Sequence, residues 1–260
     1  MTNTFLFNEI IFGPVFSRRL GISLGINILP QNAKLCTFNC LYCECGWTKE
    51  NTKINTGLPA REDISVALEK KLSDMSYRND LLDVITFAGN GEPTLHPDFP
   101  EIIDDAIALK DKYFPGAGIA VLSNASLTHK DEVFRALKKT DYNILKLDTG
   151  TEETFRALNN PQKDISLDRI IKYLVRFNGD LIIQSLFIKG EYQGKTINNT
   201  TEEEIEAWLE KIKKINPKQV MVYTYARNTP ASGLEKIPAD ELNKIANKVR
   251  ALGIDVQVSA

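Results

Sequence analysis

The chain has 260 residues, 43% hydrophobic and 25% charged, the balance of a soluble globular protein with enough length for a substantial core. Its 32 basic and 34 acidic residues give a net charge of −2, which excludes a global pull toward nucleic acid or an anionic membrane and leaves only local basic patches open. No apolar run approaches the ~20 residues of a membrane span, and an N-terminus without a basic region, interrupted by Glu9, does not read as a secretory signal.

Residues 1–20 read as irregular, with Phe5, Phe7, Ile10, Ile11 and Phe12 leading into Gly13-Pro14. Arg18-Arg19 reads either as a solvated pair or as an anion clamp, since two guanidiniums can fork onto phosphate or carboxylate. The alternation of Ile22, Leu24 and Ile26 predicts the first strand. All four cysteines then fall within ten residues, as Cys36, Cys40, Cys43 and Cys45. Thiolates crowded in this way repel one another and oxidise easily, so a metal is the usual reason for them. Soft sulfur suits zinc or an iron–sulfur cluster. Zinc sites usually take ligand pairs from two separated knuckles. No second pair follows, and His96 and His129 are far downstream and far from each other. Four cysteines are the number an ordinary ferredoxin cluster uses, although Cys43-Glu44-Cys45 is too tight to give each sulfur its own iron comfortably. Clustered free cysteines without an export signal point to the cytoplasm, under reducing or anaerobic conditions.

Residues 51–60 are polar and turn-rich, and a helix is predicted over 61–76 with Ile64, Leu68 and Leu72 on one face. A buried strand over 82–88 ends in Gly89-Asn90-Gly91-Glu92-Pro93-Thr94, and a helix follows near 100–112. Glycines between a strand and a helix let backbone approach a ligand, and Glu92 reads either as such a contact or as a surface carboxylate. A strand over 117–123 ends in Ser123-Asn124, which reads as the cap of a helix at 129–138 or as polar ligand contacts. A strand over 142–147 ends in Lys146-Leu147-Asp148, ahead of a helix with acidic residues in its first turn. After a helix at 166–177, the strand over 181–188 carries Gln184, a polar group in a buried strand that needs a partner. Residues 189–200 read as a flexible polar loop, a candidate substrate lid. A helix over 201–215 starts on Glu202, Glu203 and Glu204, ends on Lys211, Lys213 and Lys214, and has Trp208 on its apolar face, where it reads as core. A strand over 219–225, a helix near 239–251 and a short strand over 254–258 close the pattern. Strands alternating with helices imply parallel strands and right-handed crossovers, in an open doubly wound sheet or a full or partial barrel. The ligand-like residues at 89–94, 123–124, 146–148 and 225–227 all fall at predicted strand C-ends.

The spacing Cys36-x3-Cys40-x2-Cys43, with Tyr42 before the third cysteine, resembles the cluster loop of radical S-adenosylmethionine (SAM) enzymes. GNGEPT at 89–94 resembles the GGEP motif of the same enzymes, with Asn90 in place of the second glycine. GPVFSRRLGISLGIN at 13–27 and LDTGTEETFRALN at 147–159 resemble a subfamily related to the wyosine-base synthases of tRNA, over most of residues 11–190. The resemblance implies an α/β fold, a partial (β/α)6-type TIM barrel, as a single radical SAM domain over 1–260 with 1–20 as an N-terminal extension and 218–260 as a divergent C-terminal part. It implies a [4Fe–4S] cluster on Cys36, Cys40 and Cys43, with the fourth iron chelated by the amino and carboxylate groups of SAM. Implied SAM contacts are Tyr42, Gly89, Asn90, Gly91, Glu92 and Pro93 from the first two motifs. Ser123, Asn124, Lys146, Asp148, Gln184, Tyr225 and Ala226 are the further contacts at strand ends. Arg18 and Arg19 are candidate substrate contacts, and Cys45 is either a spare thiol or a hydrogen-atom donor or substrate ligand.

The implied mechanism is one-electron reduction of SAM, fed by a donor such as flavodoxin or ferredoxin, to a 5′-deoxyadenosyl radical that abstracts hydrogen from substrate. A tRNA base is the nearest analogy, but the wyosine enzymes carry additional N-terminal cysteines and residues 1–35 contain none. The alternatives are a small molecule, a protein or peptide acted on by an activase or maturase, and a non-catalytic iron–sulfur electron carrier. A carrier has no use for GNGEPT.

Overall fold

In the computed structural model, which describes residues 4–48 and 57–260, β1 (Ile11–Ser17) pairs antiparallel with β2 (Gly21–Ile26), its register broken between Phe12 and Val15. The expected irregular run over 1–20 is corrected there: β1 has no clean alternation of its own and takes its strand conformation from its partner. The polar stretch read at 51–60 lies, for 51–56, outside the described residues.

From Arg61 onward the strand–helix alternation predicted from the apolar pattern holds. Helix α1 (Arg61–Tyr77) buries Ile64, Leu68 and Leu72, and leads to β3 (Val84–Phe87). Helix α2 (Phe99–Tyr113), β4 (Gly118–Ser123), α3 (Asp131–Leu137) and β5 (Tyr142–Lys146) follow. Helices α4 (Glu152–Asn159) and α5 (Leu167–Val175) start on the side-chain caps Thr151 and Ser166. Strand β6 (Ile182–Leu186) comes next, and its five residues are all buried.

Residues 189–200 are not a loose loop. They form a hairpin of β7 (Ile188–Tyr192) and β8 (Lys195–Asn198), joined by β10 (Leu234–Lys236) in a separate three-stranded antiparallel sheet. Gln193 and Gly194 both take positive φ at the turn, the conformation a two-residue hairpin connection requires. Polar composition concealed the strands because one face of this small sheet is exposed.

Helix α6 (Glu202–Ile215), β9 (Gln219–Tyr223), α7 (Ala239–Arg250) and β11 (Asp255–Ser259) complete the chain. The main sheet has the order β1-β2-β3-β4-β5-β6-β9-β11, and every neighbouring pair after β1–β2 is parallel. It is a curled, partial barrel with helices outside, as the resemblance implied; the antiparallel edge strand is the departure from an all-parallel sheet.

The outer faces of the strands pack on the helices, with Leu24, Ile85, Leu145 and Ile183 in one continuous core. The inner faces are layered. Val84, Ala120, Ile144, Ile182 and Met221 form an apolar plug with Leu20 and Leu122 packed against it. Above it, Ser23 and Thr86 share a hydroxyl hydrogen bond at 2.8 Å, and Gln184 and Tyr223 face the same space. The β1–β2 turn reaches the far edge of the sheet, where Arg18 donates to the Ala260 carbonyl at 2.5 Å and Gln257 donates to the Arg19 carbonyl at 3.2 Å.

Trp208 is core, as its position on the apolar face suggested: it is 1% exposed, packs edge-on against Phe187 and donates Nε1–H to the Leu147 carbonyl at 3.0 Å. Glu204, by contrast, does more than favour its helix dipole. Its buried carboxylate accepts from the backbone N–H groups of Gly150 at 2.6 Å and Thr151 at 3.1 Å, fixing the start of α4 against α6. Gly150 is required there, since a Cβ would sit 2.4 Å from the Trp208 backbone nitrogen and 2.5 Å from the Glu204 carbonyl oxygen. Trp208→Phe removes a buried donor while keeping an aromatic ring, and is expected to lower unfolding free energy by about 1–3 kcal/mol in a urea titration.

Candidate functional site

Two loops at the C-terminal end of the barrel are joined by a short parallel bridge. Leu35 donates its N–H to the Asn90 carbonyl at 2.8 Å, and Glu92 donates to the Leu35 carbonyl at 3.0 Å. Gly91 lies between these bonds with φ 140°, and a Cβ there would fall 1.8 Å from the Leu35 oxygen. Only glycine permits this approach. On its other side the cysteine loop is clasped by the end of α4, where Leu41 donates to the Leu158 carbonyl at 3.0 Å and Asn39 to the Asn159 carbonyl at 3.1 Å.

Asn90 is fully buried, and its side chain explains why this position departs from glycine. Its carboxamide donates to the carbonyls of Phe7 and Pro30, both at 2.8 Å, and accepts from Phe7 N–H at 2.9 Å. It therefore ties the N-terminal segment down beside the cysteine loop, and neither it nor Pro93 lines the cavity.

Cys36, Cys40, Cys43 and Cys45 all line one cavity of about 490 Å³. Cys40 is buried and the other three are half-buried. The Cys36 sulfur accepts from Phe38 N–H at 3.4 Å and from Asn124 Nδ2 at 3.5 Å, and the Cys40 sulfur accepts from Asn159 Nδ2 at 3.5 Å. Cys45 donates its thiol to the Gly89 carbonyl at 3.3 Å. Burial pushes the Cys36 thiol up to about 12 and also raises Cys40, while a hydrogen bond from Cys45 holds Cys43 below its ordinary value and raises Cys45 in turn. Among the described residues no three His, Cys, Asp or Glu side chains converge on a single ion.

Lys34, which the sequence reading passed over, lies against these sulfurs. It is 3% exposed, donates to the Gly46 carbonyl at 3.0 Å and to Asn39 Oδ1 at 3.5 Å, and lines the cavity beside Cys43. Burial works against its charge, and the neighbouring Cys43, Cys36 and Cys40 outweigh that and raise its pKa. Its position two residues before the first cysteine was the available signal, but a lysine at that spacing has no general chemical meaning. Asn159, at the end of the 147–159 stretch, was likewise legible only as part of a pattern.

Glu92 is 2% exposed and lines the same cavity. Burial raises its pKa, opposed by donors from Asn124 N–H at 2.6 Å, Thr94 Oγ1 at 2.6 Å and Ser123 Oγ at 2.7 Å. It thus locks the ends of β3 and β4 together, with Gly89, Gly91, Ser123 and Asn124 also lining the cavity. Lys146 lines it too, 3.3 Å from the Asp148 carboxylate. Burial opposes the Lys146 charge, but Asp148, Tyr223 and Cys40 together outweigh it and raise its pKa.

The structure gives Asp148 a different task from the ligand contact expected of it. Its side chain is 0% exposed, is absent from the cavity wall, and accepts from Tyr42 Oη, Asn159 Nδ2 at 2.7 Å and Leu186 N–H at 2.9 Å. Tyr42, Gln184, Tyr225 and Ala226 do line the cavity. Gln184 also finds protein partners, Arg19 Nη1 and Tyr223 Oη, both at 3.4 Å. Arg18 and Arg19 both line the cavity but point differently: Arg18 is exposed and bonds Ala260, whereas half-buried Arg19 turns inward with its guanidinium 4.7 Å from the Tyr223 ring centre. Restoring the glycine pair with Asn90→Gly removes three side-chain hydrogen bonds, and is expected to speed protease cleavage within residues 4–10 severalfold over wild type in a limited-proteolysis time course.

Comparison with known proteins gives the same picture. The family model of the Radical SAM superfamily matches residues 33–193. A UPF0026 protein of Methanocaldococcus jannaschii is 30% identical over 261 residues, covering 94% of this chain and 75% of that protein. A Brachyspira hyodysenteriae protein named GTPase Obg is 32% identical over 238 residues, covering 90% of this chain. The match spans only 32% of that relative's length. Among solved structures, a radical SAM methyltransferase from Sphaerobacter thermophilus superposes with a TM-score of 0.62 at 13% identity, over 91% of this chain and 65% of that one, a likeness of fold.

Proposed function

Because the chain belongs to the radical SAM superfamily, we propose that it is an enzyme holding a [4Fe–4S] cluster on Cys36, Cys40 and Cys43 and cleaving SAM reductively. When bound, cluster and SAM together supply the 5′-deoxyadenosyl radical that abstracts hydrogen from a substrate.

The observation that carries this reading is the environment of Lys34. A buried ammonium is costly without a counter-charge, and the oxygens that Lys34 reaches among the described residues are neutral. The counter-charge comes from the neighbouring sulfurs of Cys43, Cys36 and Cys40, as thiolates or as the ligands of an anionic cluster. The donor set fits: Cys36, Cys40 and Cys43 line one cavity with the soft thiolate ligands that an iron–sulfur cluster takes.

The other residues then take these tasks. The backbone of Gly89 and Gly91 and the side chains of Ser123 and Asn124 offer polar contacts to SAM beside Glu92, whose own oxygens are largely occupied in fixing that wall. Lys146 would present its ammonium to the SAM carboxylate, while Asp148, Tyr42 and Asn159 hold it in place from behind. Tyr225 and Ala226, which line the cavity, would hold the adenine, and the apolar plug below would exclude water from the reacting groups. The whole of residues 1–260 is read as one radical SAM domain, served by a one-electron donor such as flavodoxin or ferredoxin in the cytoplasm. No described helix is long and apolar enough to cross a membrane.

Arg19 faces the substrate end of the cavity with no carboxylate partner among the described residues, so the substrate is read as carrying a phosphate or carboxylate. A nucleotide of tRNA and a small anionic metabolite both meet that requirement. The protein reconstituted anaerobically with iron and sulfide, then given dithionite and SAM, is expected to form 5′-deoxyadenosine. Formation should fall to background in Cys36→Ala, Cys40→Ala and Cys43→Ala and persist in Cys45→Ala. A cluster that forms but neither binds nor cleaves SAM would leave the electron-carrier reading in its place.

A further inference from the structure

Two of the three sulfurs assigned above to the cluster accept from a side-chain amide, and a buried ammonium lines the cavity beside all three, each group coming from a separate part of the fold. Asn124, after β4, donates to Cys36 at 3.5 Å, and Asn159, at the end of α4, donates to Cys40 at 3.5 Å. Lys34, on the segment before the cysteine loop, lines the same cavity as all three sulfurs, and Cys43 is the sulfur that raises its pKa most. None of these donors is free to swing away. Asn124 Nδ2 also bonds Thr37 Oγ1 at 2.8 Å and its Oδ1 accepts from Ser126 N–H at 3.0 Å; Asn159 Nδ2 also bonds Asp148 at 2.7 Å; Lys34 is anchored by Gly46.

The charges around the sulfurs are unequal in effect. Lys146 and Asp148 lie near Cys40 but form an ion pair at 3.3 Å and largely cancel. Glu92 lies near Cys36, and its carboxylate is held by backbone and hydroxyl donors. Lys34 is the buried cation without a carboxylate partner among the described residues; it lines the cavity with all three sulfurs and reaches only neutral oxygens besides them.

Resting on the proposed function, we propose that Lys34 is a positioning residue that sets the reduction potential of the cluster, with Asn124 and Asn159 contributing more weakly as neutral donors. Reduction adds one negative charge to the cluster. A cation beside the cluster in a low-dielectric site stabilises the reduced form, and N–H donors to the sulfurs act in the same direction. Together they bring the cluster within reach of a cellular one-electron donor. A residue that merely stitched the loop through Gly46 would leave the potential unmoved.

The test is an EPR-monitored redox titration of the reconstituted full-length protein, with iron and sulfide content measured for each variant. Lys34→Met is expected to move the midpoint to more negative potential, Lys34→Arg to return it close to wild type, and Asn124→Ala and Asn159→Ala to shift it the same way by less. A Lys34→Met protein with full iron content and a wild-type midpoint overturns the proposal. Should Lys34→Met lose its iron, Lys34→Gln keeps a donor and drops only the charge, so an unshifted Lys34→Gln midpoint overturns it equally. If neither charge-free variant loads while Lys34→Arg does, the residue serves assembly and the proposal is also overturned. Wild-type protein that takes up no cluster, or leaves SAM intact, fails the preceding reading instead, before any variant is compared.

Discussion

The bridge between Leu35 and Gly91 is the contact on which the site depends. Through it the cysteine loop and the glycine loop form one two-layered rim, and its geometry tolerates no side chain at Gly91. The bonds from Leu41 and Asn39 to the end of α4 then fix the opposite side of the cysteine loop. A ten-residue stretch with little regular structure is thereby held as firmly as a strand, which matters because ligands held by loops need supporting bonds to keep their geometry.

Within that rim the buried charges are arranged so that most are paired inside the protein. Asp148 binds Tyr42, Asn159 and Lys146, and Glu92 is surrounded by hydroxyl and backbone donors. These groups shape the wall of the cavity more than they reach into it. Lys34 and Arg19 differ, one at the cysteine end and one at the floor, each without a carboxylate partner among the described residues. The cavity therefore carries positive charge at both ends, although the chain as a whole has a net charge of −2. Whole-chain charge averages over a surface and says nothing about a pocket whose low dielectric magnifies single charges.

The curled sheet supplies the rest. Its inner face grades from an apolar plug to hydroxyl and amide groups to the sulfur-lined rim, and the β1–β2 turn spans the open edge to β11 through Arg18, Arg19 and Gln257. Arg19 serves two ends at once in this arrangement: its backbone helps close the seam, and its guanidinium, stacked on Tyr223, forms part of the floor.

What the sequence determined by itself was set by local chemistry. Ile64, Leu68 and Leu72 at helical spacing, and the buried run ahead of Gly89, specify elements because burial of an apolar face needs only the right period. Four cysteines within ten residues specify soft-ligand chemistry because no common structural role explains them. Tertiary structure alone decided what depends on a distant partner. The strand at Ile11–Ser17 exists because β2 pairs with it, and the polar run at 189–198 became a hairpin because β10 lies beside it. Asn90 proved to be a tether to Phe7 and Pro30, Asp148 a sealed anchor, and Lys34 a buried cation among sulfurs. In each case the residue's identity was plain from the start, but its role rests on hydrogen bonds and desolvation imposed by groups elsewhere in the chain, which no local pattern encodes.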